Sequence, residues 1–345
     1  MDVSGRTNAV ICMAPDCAAA VLPPDLRERL AQAVDPAPDL SPALLTALTS
    51  QHAGHEARGA ASVLAQAELL ITGWGCPPLT EQVLAAAPGL RAVIHAAGSV
   101  KGHLPPAVWE RGITVSSAAE ANAGPVADFT CATIALAAKQ AVPAAARYAA
   151  GWPDFTAREG ADSRTVGIIG ASRIGRRVIA TLTASEAGYT VLLSDPYVTA
   201  EQAATLGAEL LPLDELCRRS SIVSVHAPEL PETRNLLDAR RLALLPDGAT
   251  VINTARGTLI DTDALTRACA TGRLNAFLDV THPEPLPPDH PLLGLRNVLV
   301  TPHIAGAQGS EVRRLGAYAI AETERFVRGE PLHGLVTATD LSRIA

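Results

Sequence analysis

The run RTVGIIGASRIGRRVIATL, residues 164–182, constrains the fold more than any other stretch. A β-rich segment enters a glycine-containing turn, and a segment with apolar residues at helical intervals leaves it. That order opens a βαβ unit, whose parallel strands are buried on both faces. The turn reads Gly170-x-Ser172-x-x-Gly175, with serine where a dinucleotide-binding turn usually has its middle glycine. Asp195 closes the next β-rich run, VLLSDP, about 20 residues on, where an acid can accept hydrogen bonds from ribose hydroxyls. The context predicts a pyrophosphate held by free N–H groups at the helix N-terminus, around Gly170, Ser172, Arg173 and Ile174. Ser172 would either crowd a phosphate oxygen or donate to it, and Arg173 could add charge from the side. A plain strand–turn–helix corner with no ligand stays open beside these readings. Asp195 favours NAD over NADP, because its carboxylate would repel a 2′-phosphate and no arginine follows it in PYVTAEQ.

The same alternation extends through most of the 345 residues, a length that allows two domains with separate cores. In the first third the strand candidates are NAVICMA, ELLITGW, LRAVIHAAG and ITVSSA, a small doubly wound pattern, and no strand can be placed in residues 36–61. A long alanine-rich helix is expected from Ala123 to near Pro143. Six further strand candidates follow, RTVGIIGA, YTVLLSDP, SIVSVHAP, ATVINTARG, LNAFLDV and NVLVTPHIAG, enough for a complete dinucleotide-binding sheet. An amphipathic helix, Gly309 to Arg328, precedes a tail expected to return to the first domain. The chain is thus read as α/β throughout.

Composition narrows the partners. A hydrophobic share of 48% excludes a disordered chain, and a net charge of −7 without a basic patch offers nothing to nucleic acid or an anionic membrane. The six cysteines form no C-x-x-C pair or zinc-ligand spacing, so they read as small core residues in a reducing compartment, and no metal is expected. NAVICMA is too short for a secretory signal, and Asp128 and Lys139 interrupt the longest apolar region. The expectation is a soluble, cytoplasmic protein. His52 and His55 look metal-like, but their order with Glu56 does not match a zinc motif, and they read as surface residues.

Three residues carry potential chemistry: Arg256 in NTARGTLID, Glu284 in LDVTHPEPLPPDHPL and His303 in VLVTPHIAG. Each alone has a plain structural explanation, as a turn arginine, a loop acid or a core histidine. Together they are what redox chemistry at a carbinol carbon requires. An arginine grips a 2-oxo carboxylate with paired N–H bonds and polarises the adjacent carbonyl. A histidine passes a proton to or from the alkoxide, and a neighbouring carboxylate favours its charged form. His282 and His290 lie in the same proline-rich loop as Glu284 and are left unassigned.

From Thr165 to Gly306 the motifs GIIGASRIG, SVHAPELPETRNLL, VINTARGTLID, GRLNAFLDVTHPEPLP and NVLVTPHIAG resemble, in order and spacing, the D-isomer-specific 2-hydroxyacid dehydrogenases. The resemblance implies a Rossmann domain, residues 120–308, inserted in a smaller flavodoxin-like doubly wound substrate domain, residues 1–119 and 309–345. It implies an NAD-dependent exchange of hydride between a 2-oxo acid and a D-2-hydroxy acid. In it Arg256 binds substrate, Glu284 pairs with His303, and His303 is the acid and base. Asp279 would orient the nicotinamide amide, and His226, Ala227, Pro228, Thr233, Thr254 and Ala255 would line the cofactor. IHAAGSVKG resembles the family loop whose N–H groups hold the substrate carboxylate, giving Ala97, Gly98 and Ser99, and Trp74 either walls the pocket or fills core. Lys101 and His103 are unusual there, and a solvated loop is preferred to a role with an anionic substrate. A homodimer through the helix Gly124 to Lys139 and its following arm is also implied, and the tail after Arg328 looks short for an added regulatory domain. An NAD(H)-binding sensor or corepressor-like protein with little turnover is the alternative. Retention of Arg256, Glu284 and His303 weighs against it, and Glu284 weighs against a formate dehydrogenase, whose relatives place glutamine there.

Overall fold

The computed structural model describes residues 6–48, 55–151, 155 and 159–343. Contacts divide the chain into two units: it leaves the first at Asn122, re-enters it at Ala307, and forms the second from Ala123 to Gly306. The bounds read from sequence fell at 119/120 and 308/309.

The first unit holds a parallel sheet of β1 (Asn8–Cys12), β2 (Asp35–Pro36), β3 (Leu69–Thr72), β4 (Ala92–His95) and β5 (Thr114–Ser117). Their order, β2-β1-β3-β4-β5, is the flavodoxin-like one. β3 and β4 are buried along their whole length, as their unbroken apolar runs require. The strand that sequence could not place is β2, a two-residue edge strand containing Pro36, and an edge tolerates a residue that cannot donate. The tail does return to this unit. Gly334 O accepts from Ser117 N and Val336 N donates to Val115 O, which covers the free edge of β5. Glu322, fully buried in the helix Val312–Arg328, fixes that return by accepting from Ser116 Oγ, Arg325, His333 N and Gly334 N.

The second unit is built on β6 (Thr165–Ile169), β7 (Thr190–Ser194), β8 (Glu209–Leu210), β9 (Ile222–Val225), β10 (Thr250–Asn253), β11 (Asn275–Leu278) and β12 (Val298–Val300). The parallel order β12-β11-β10-β9-β6-β7-β8 is the dinucleotide-binding arrangement with one strand added beyond β11. Alternation within the strands fills two cores: Val223, Val225 and Val251 face one, and Ile222, Ile252 and Phe277 the other. β8 is the strand absent from the sequence reading, and two edge residues leave no pattern to find. The alanine-rich helix begins earlier than expected, at Ala119, and stops at Ala138, where Gln140 turns the chain with φ 53°. Pro143 does not end it but lies in the first turn of a new helix, Ala141–Ala146, where its missing N–H is not needed. Among the described residues no helix is long and apolar enough to cross a membrane.

Candidate active site

Every candidate residue of the second unit lies just beyond the C-terminal end of a strand, the edge at which parallel sheets present ligand-binding loops. The strand order reverses between β6 and β9, and there the glycine turn meets the His226–Pro228 turn. Gly170 has φ 98°, and a Cβ on it would stand 2.8 Å from Ala227 N. A Cβ on Gly175 would run into the carbonyl oxygen of Gly170, so both flanking glycines are required by packing. Ser172 is under no such demand. Its backbone, φ −65° and ψ 178°, suits any residue, and its Oγ accepts from Gly175 N at 3.3 Å as N-cap of the helix Arg173–Thr183. The serine therefore replaces a glycine at the one position of the turn where no glycine is needed.

The carboxylate of Asp195 accepts from Ala171 N at 2.7 Å and Tyr197 N at 2.8 Å, which ties the end of β7 to the glycine turn. His226 is buried against the glycine turn. Its Nε2 pairs with Ser224 Oγ at 2.9 Å, and burial pushes its pKa down to about 3. Thr233 Oγ1 donates to Pro228 O and accepts from Leu230 N, and so folds the loop that follows β9. Thr254 Oγ1 pairs with Thr130 Oγ1 at 2.8 Å.

His303 Nδ1 lies 3.0 Å from Glu284 Oε1, and the two side chains are 53% and 41% exposed. Both are therefore open to a ligand and to solvent protons. His303 adopts φ 55°, a left-handed conformation unusual for a side-chain-bearing residue, and its N–H donates to Asp279 O. The buried Asp279 carboxylate holds the rest of that turn, accepting from Thr301 Oγ1 at 2.6 Å, Ile304 N at 2.8 Å and Ala305 N at 2.9 Å. Arg256 follows β10 in a turn folded by Asn253, whose Oδ1 accepts from Ala255 N and whose Nδ2 donates to Arg256 O. Its guanidinium donates to Ala255 O at 2.7 Å. Sequence reasoning missed Asn253 and Thr301. Their one signal was a polar residue closing an apolar strand run.

In the first unit the loop after β4 carries Ala97, Gly98 and Ser99. Ala96 N donates to Thr72 O and Lys101 N to Ser99 Oγ, while the N–H groups of residues 97–99 find no acceptor among the described residues. Trp74, 37% exposed, follows β3, the neighbour of β4, and its carbonyl accepts from Ala14 N. Beneath the loop His95 Nδ1 pairs with Thr72 Oγ1 at 2.8 Å and its ring lies 4.9 Å from that of His103. Burial pushes His95 down to about 3, with help from His103, and His103 down to about 4. His103 is thus part of the loop's support, not a solvated loop residue.

His52 lies outside the described residues, and His55 is exposed at the start of the helix His55–Leu64. His282 accepts from Arg234 at 3.2 Å, and His290 Nδ1 accepts from Leu292 N. A cavity of about 710 Å3 opens at the opposite, N-terminal edge of the seven-stranded sheet, lined by Lys139, Arg147, Arg164 and Asn275 among others. No candidate residue lines it.

Residues 131–305, about half of the chain, match the family model described as D-isomer specific 2-hydroxyacid dehydrogenase, NAD binding domain. The chain is similar to a D-3-phosphoglycerate dehydrogenase of Methanocaldococcus jannaschii, 34% identical over 268 residues that make up 76% of this chain and 50% of that protein. It spans about half the length of the curated relatives it matches. A solved structure described as a putative D-isomer specific 2-hydroxyacid dehydrogenase from Polaromonas sp. JS6 66 is 26% identical with a TM-score of 0.72, covering 96% of this chain and 100% of that one. D-lactate dehydrogenase from Aquifex aeolicus, complexed with NAD and lactic acid, is 25% identical with a TM-score of 0.69, covering 94% of this chain and 96% of that one.

Proposed function

This chain belongs to the D-isomer-specific 2-hydroxyacid dehydrogenase family, and we propose that it interconverts a 2-oxo acid and a D-2-hydroxy acid with NAD(H). The observation that carries this reading is the exposed His303–Glu284 pair at 3.0 Å on the ligand-presenting edge of an NAD-binding sheet. The cradle suits the cofactor: two glycines that admit no Cβ, a capped helix N-terminus and an acid at the end of β7. Gly170, Ser172, Arg173, Ile174 and Asp195 would hold its adenosine and pyrophosphate, and the turns at His226–Pro228, Thr233, Thr254–Ala255 and Asp279 its nicotinamide half. NAD(H), when bound, supplies the hydride acceptor or donor. In reduction His303 gives its proton to the alkoxide forming at C2, and in oxidation it takes that proton back. Glu284 orients the ring through Nδ1. Arg256 binds the carboxylate and polarises the carbonyl, and the N–H groups of Ala97, Gly98 and Ser99 supply further carboxylate donors.

The Asp195 carboxylate supports NAD over NADP. The names of the relatives make 3-phosphoglycerate and lactate the first compounds to try. We assign a homodimer through the helix 124–139 and its arm, supported by the exposed side chains Leu136, Tyr148 and Phe155, which sedimentation tests. The deciding assay is NADH and NADPH oxidation against a panel of phosphorylated and unphosphorylated 2-oxo acids. Turnover with NADH sustains the reading. Tight NADH binding with no turnover across the panel replaces it with a sensor, and a higher kcat/KM with NADPH reverses the cofactor assignment.

A further inference from the structure

One residue outside every motif above joins the carboxylate-binding loop to the places where the chain leaves and re-enters the first unit. Asn122, half-buried in the first turn of the helix Ala119–Ala138, is the last residue before the chain leaves that unit, and Ala307 is the first on its return. Asn122 Oδ1 accepts from Ala307 N at 2.8 Å across 185 residues of sequence. The Nδ2 of the same side chain faces Gly98, so that a Cβ on Gly98 would stand 3.4 Å from it. The backbone closes the circuit: Asn122 N donates to Ala118 O, and Ala118 N donates to His95 O at the root of the loop. Ala118 and Ala307 are buried together against Leu315, so the point of re-entry is anchored in the core of the unit.

We propose that Asn122 is a positioning residue that couples the order of the loop Ala97–Ser99 to the join between the chain's two crossing points. One small side chain holds the join by a hydrogen bond to its oxygen and turns its nitrogen towards the loop at Gly98. A shift at Ala307 moves the oxygen end, and the planar amide carries that shift to Gly98. By reciprocity, an anion that orders the loop also stabilises the join. The consequence for substrate rests on reading Ala97–Ser99 as the carboxylate site, whereas the coupling itself does not.

Hydrogen exchange of the full chain, read at the hydrogen-bonded amides Ala96, Lys101, His103 and Leu104 and at Ala307, separates the two. Asn122→Ala is expected to speed exchange at both places, to raise KM for the best 2-oxo acid about tenfold with kcat within about threefold, and to leave NADH affinity unchanged. Asn122→Asp keeps an oxygen for Ala307 N but loses the nitrogen that faces Gly98, so protection should return at Ala307 and not in the 96–104 segment. Faster exchange at Ala307 alone, with the 96–104 segment as in wild type, overturns the coupling, and an unchanged KM with both places exchanging faster overturns the reading of Ala97–Ser99 as the carboxylate site. If Asn122→Ala does not fold, Gly98→Val presses on Asn122 from the loop side. Exchange at Ala307 then rises if the two are coupled, and an unchanged rate there overturns the proposal. A wild type that reduces no 2-oxo acid sinks the dehydrogenase reading, while the exchange result still decides the coupling.

Discussion

Each unit carries a histidine pair at the C-terminal edge of a parallel sheet, and the two pairs are opposites. His303 follows β12, is half exposed, and has Glu284 as its partner. His95 ends β4, is buried, and has Thr72 and the ring of His103 as its company. An exposed carboxylate partner suits the proton carrier proposed for His303, whereas burial keeps the His95 imidazole neutral. The lesson is that chemistry at a strand end is decided by where each polar group's hydrogen-bonding capacity goes. In the proposed role His303 offers Nε2 to a ligand, while His95 and His103 pack beneath the loop that follows β4.

The comparison breaks first at His303. His303→Ala should lower kcat/KM on the best 2-oxo acid by about 10³-fold, within the range that positioned proton transfer contributes. NADH affinity should stay within about threefold, because only the proton carrier is removed. A variant with near wild-type turnover would mean that exposure beside a carboxylate was mere surface chemistry. Arg256→Ala comes next, with a loss of about 10²-fold in kcat/KM expressed mainly in KM, since it removes a charged, bidentate contact to substrate. A loss confined to kcat, with KM untouched, would assign the carboxylate to other donors.

The first unit's pair, His95 and His103, makes a prediction of opposite kind, about stability. A histidine whose folded pKa lies below its unfolded value of about 6.5 takes up a proton when the chain unfolds in acid. Its contribution is fully present above pH 6.5 and is lost as the pH falls towards about 4 for His103 and about 3 for His95. Each such histidine steepens the loss by about 1.4 kcal/mol per pH unit inside that window. The wild-type Tm should therefore fall between pH 6.5 and pH 4, and His103→Leu should flatten the fall. An equally steep profile in the variant would show that His103 is charged in the folded protein.

How far the sequence carried these distinctions follows from which interactions are local. Parallel strands buried on both faces leave unbroken apolar runs, so ten of the twelve strands among the described residues lie within the expected segments, while the two-residue edges β2 and β8 leave no pattern. Arg256, Glu284 and His303 stand in local motifs, and the His303–Glu284 contact joins two of these. Asn122 and Asn253 are small amides whose work depends on neighbours folded onto them, and for Asn122 that neighbour lies 185 residues away. The sequence places His103 in a solvated loop, because nothing in GSVKGHL tells that its ring turns under the loop against His95.

Ser172 makes the smallest prediction and tests the same rule within one residue. Its hydroxyl oxygen already accepts from Gly175 N, and its backbone needs no glycine, so the residue stabilises the helix Arg173–Thr183 without closing the cradle. A cap exchanged for glycine costs only a few tenths of a kcal/mol, so Ser172→Gly should lower Tm by about 1 °C and leave NADH affinity within about threefold. Titration by nicotinamide fluorescence reads the affinity directly. Binding gained tenfold or more in the glycine variant would mean that the hydroxymethyl group crowds a phosphate oxygen, and that its hydrogen bond to Gly175 does not keep it out of the way. Binding weakened by as much would mean that the hydroxyl proton, left unused by the cap, donates to the phosphate, placing Ser172 with His303 among the groups that serve a ligand.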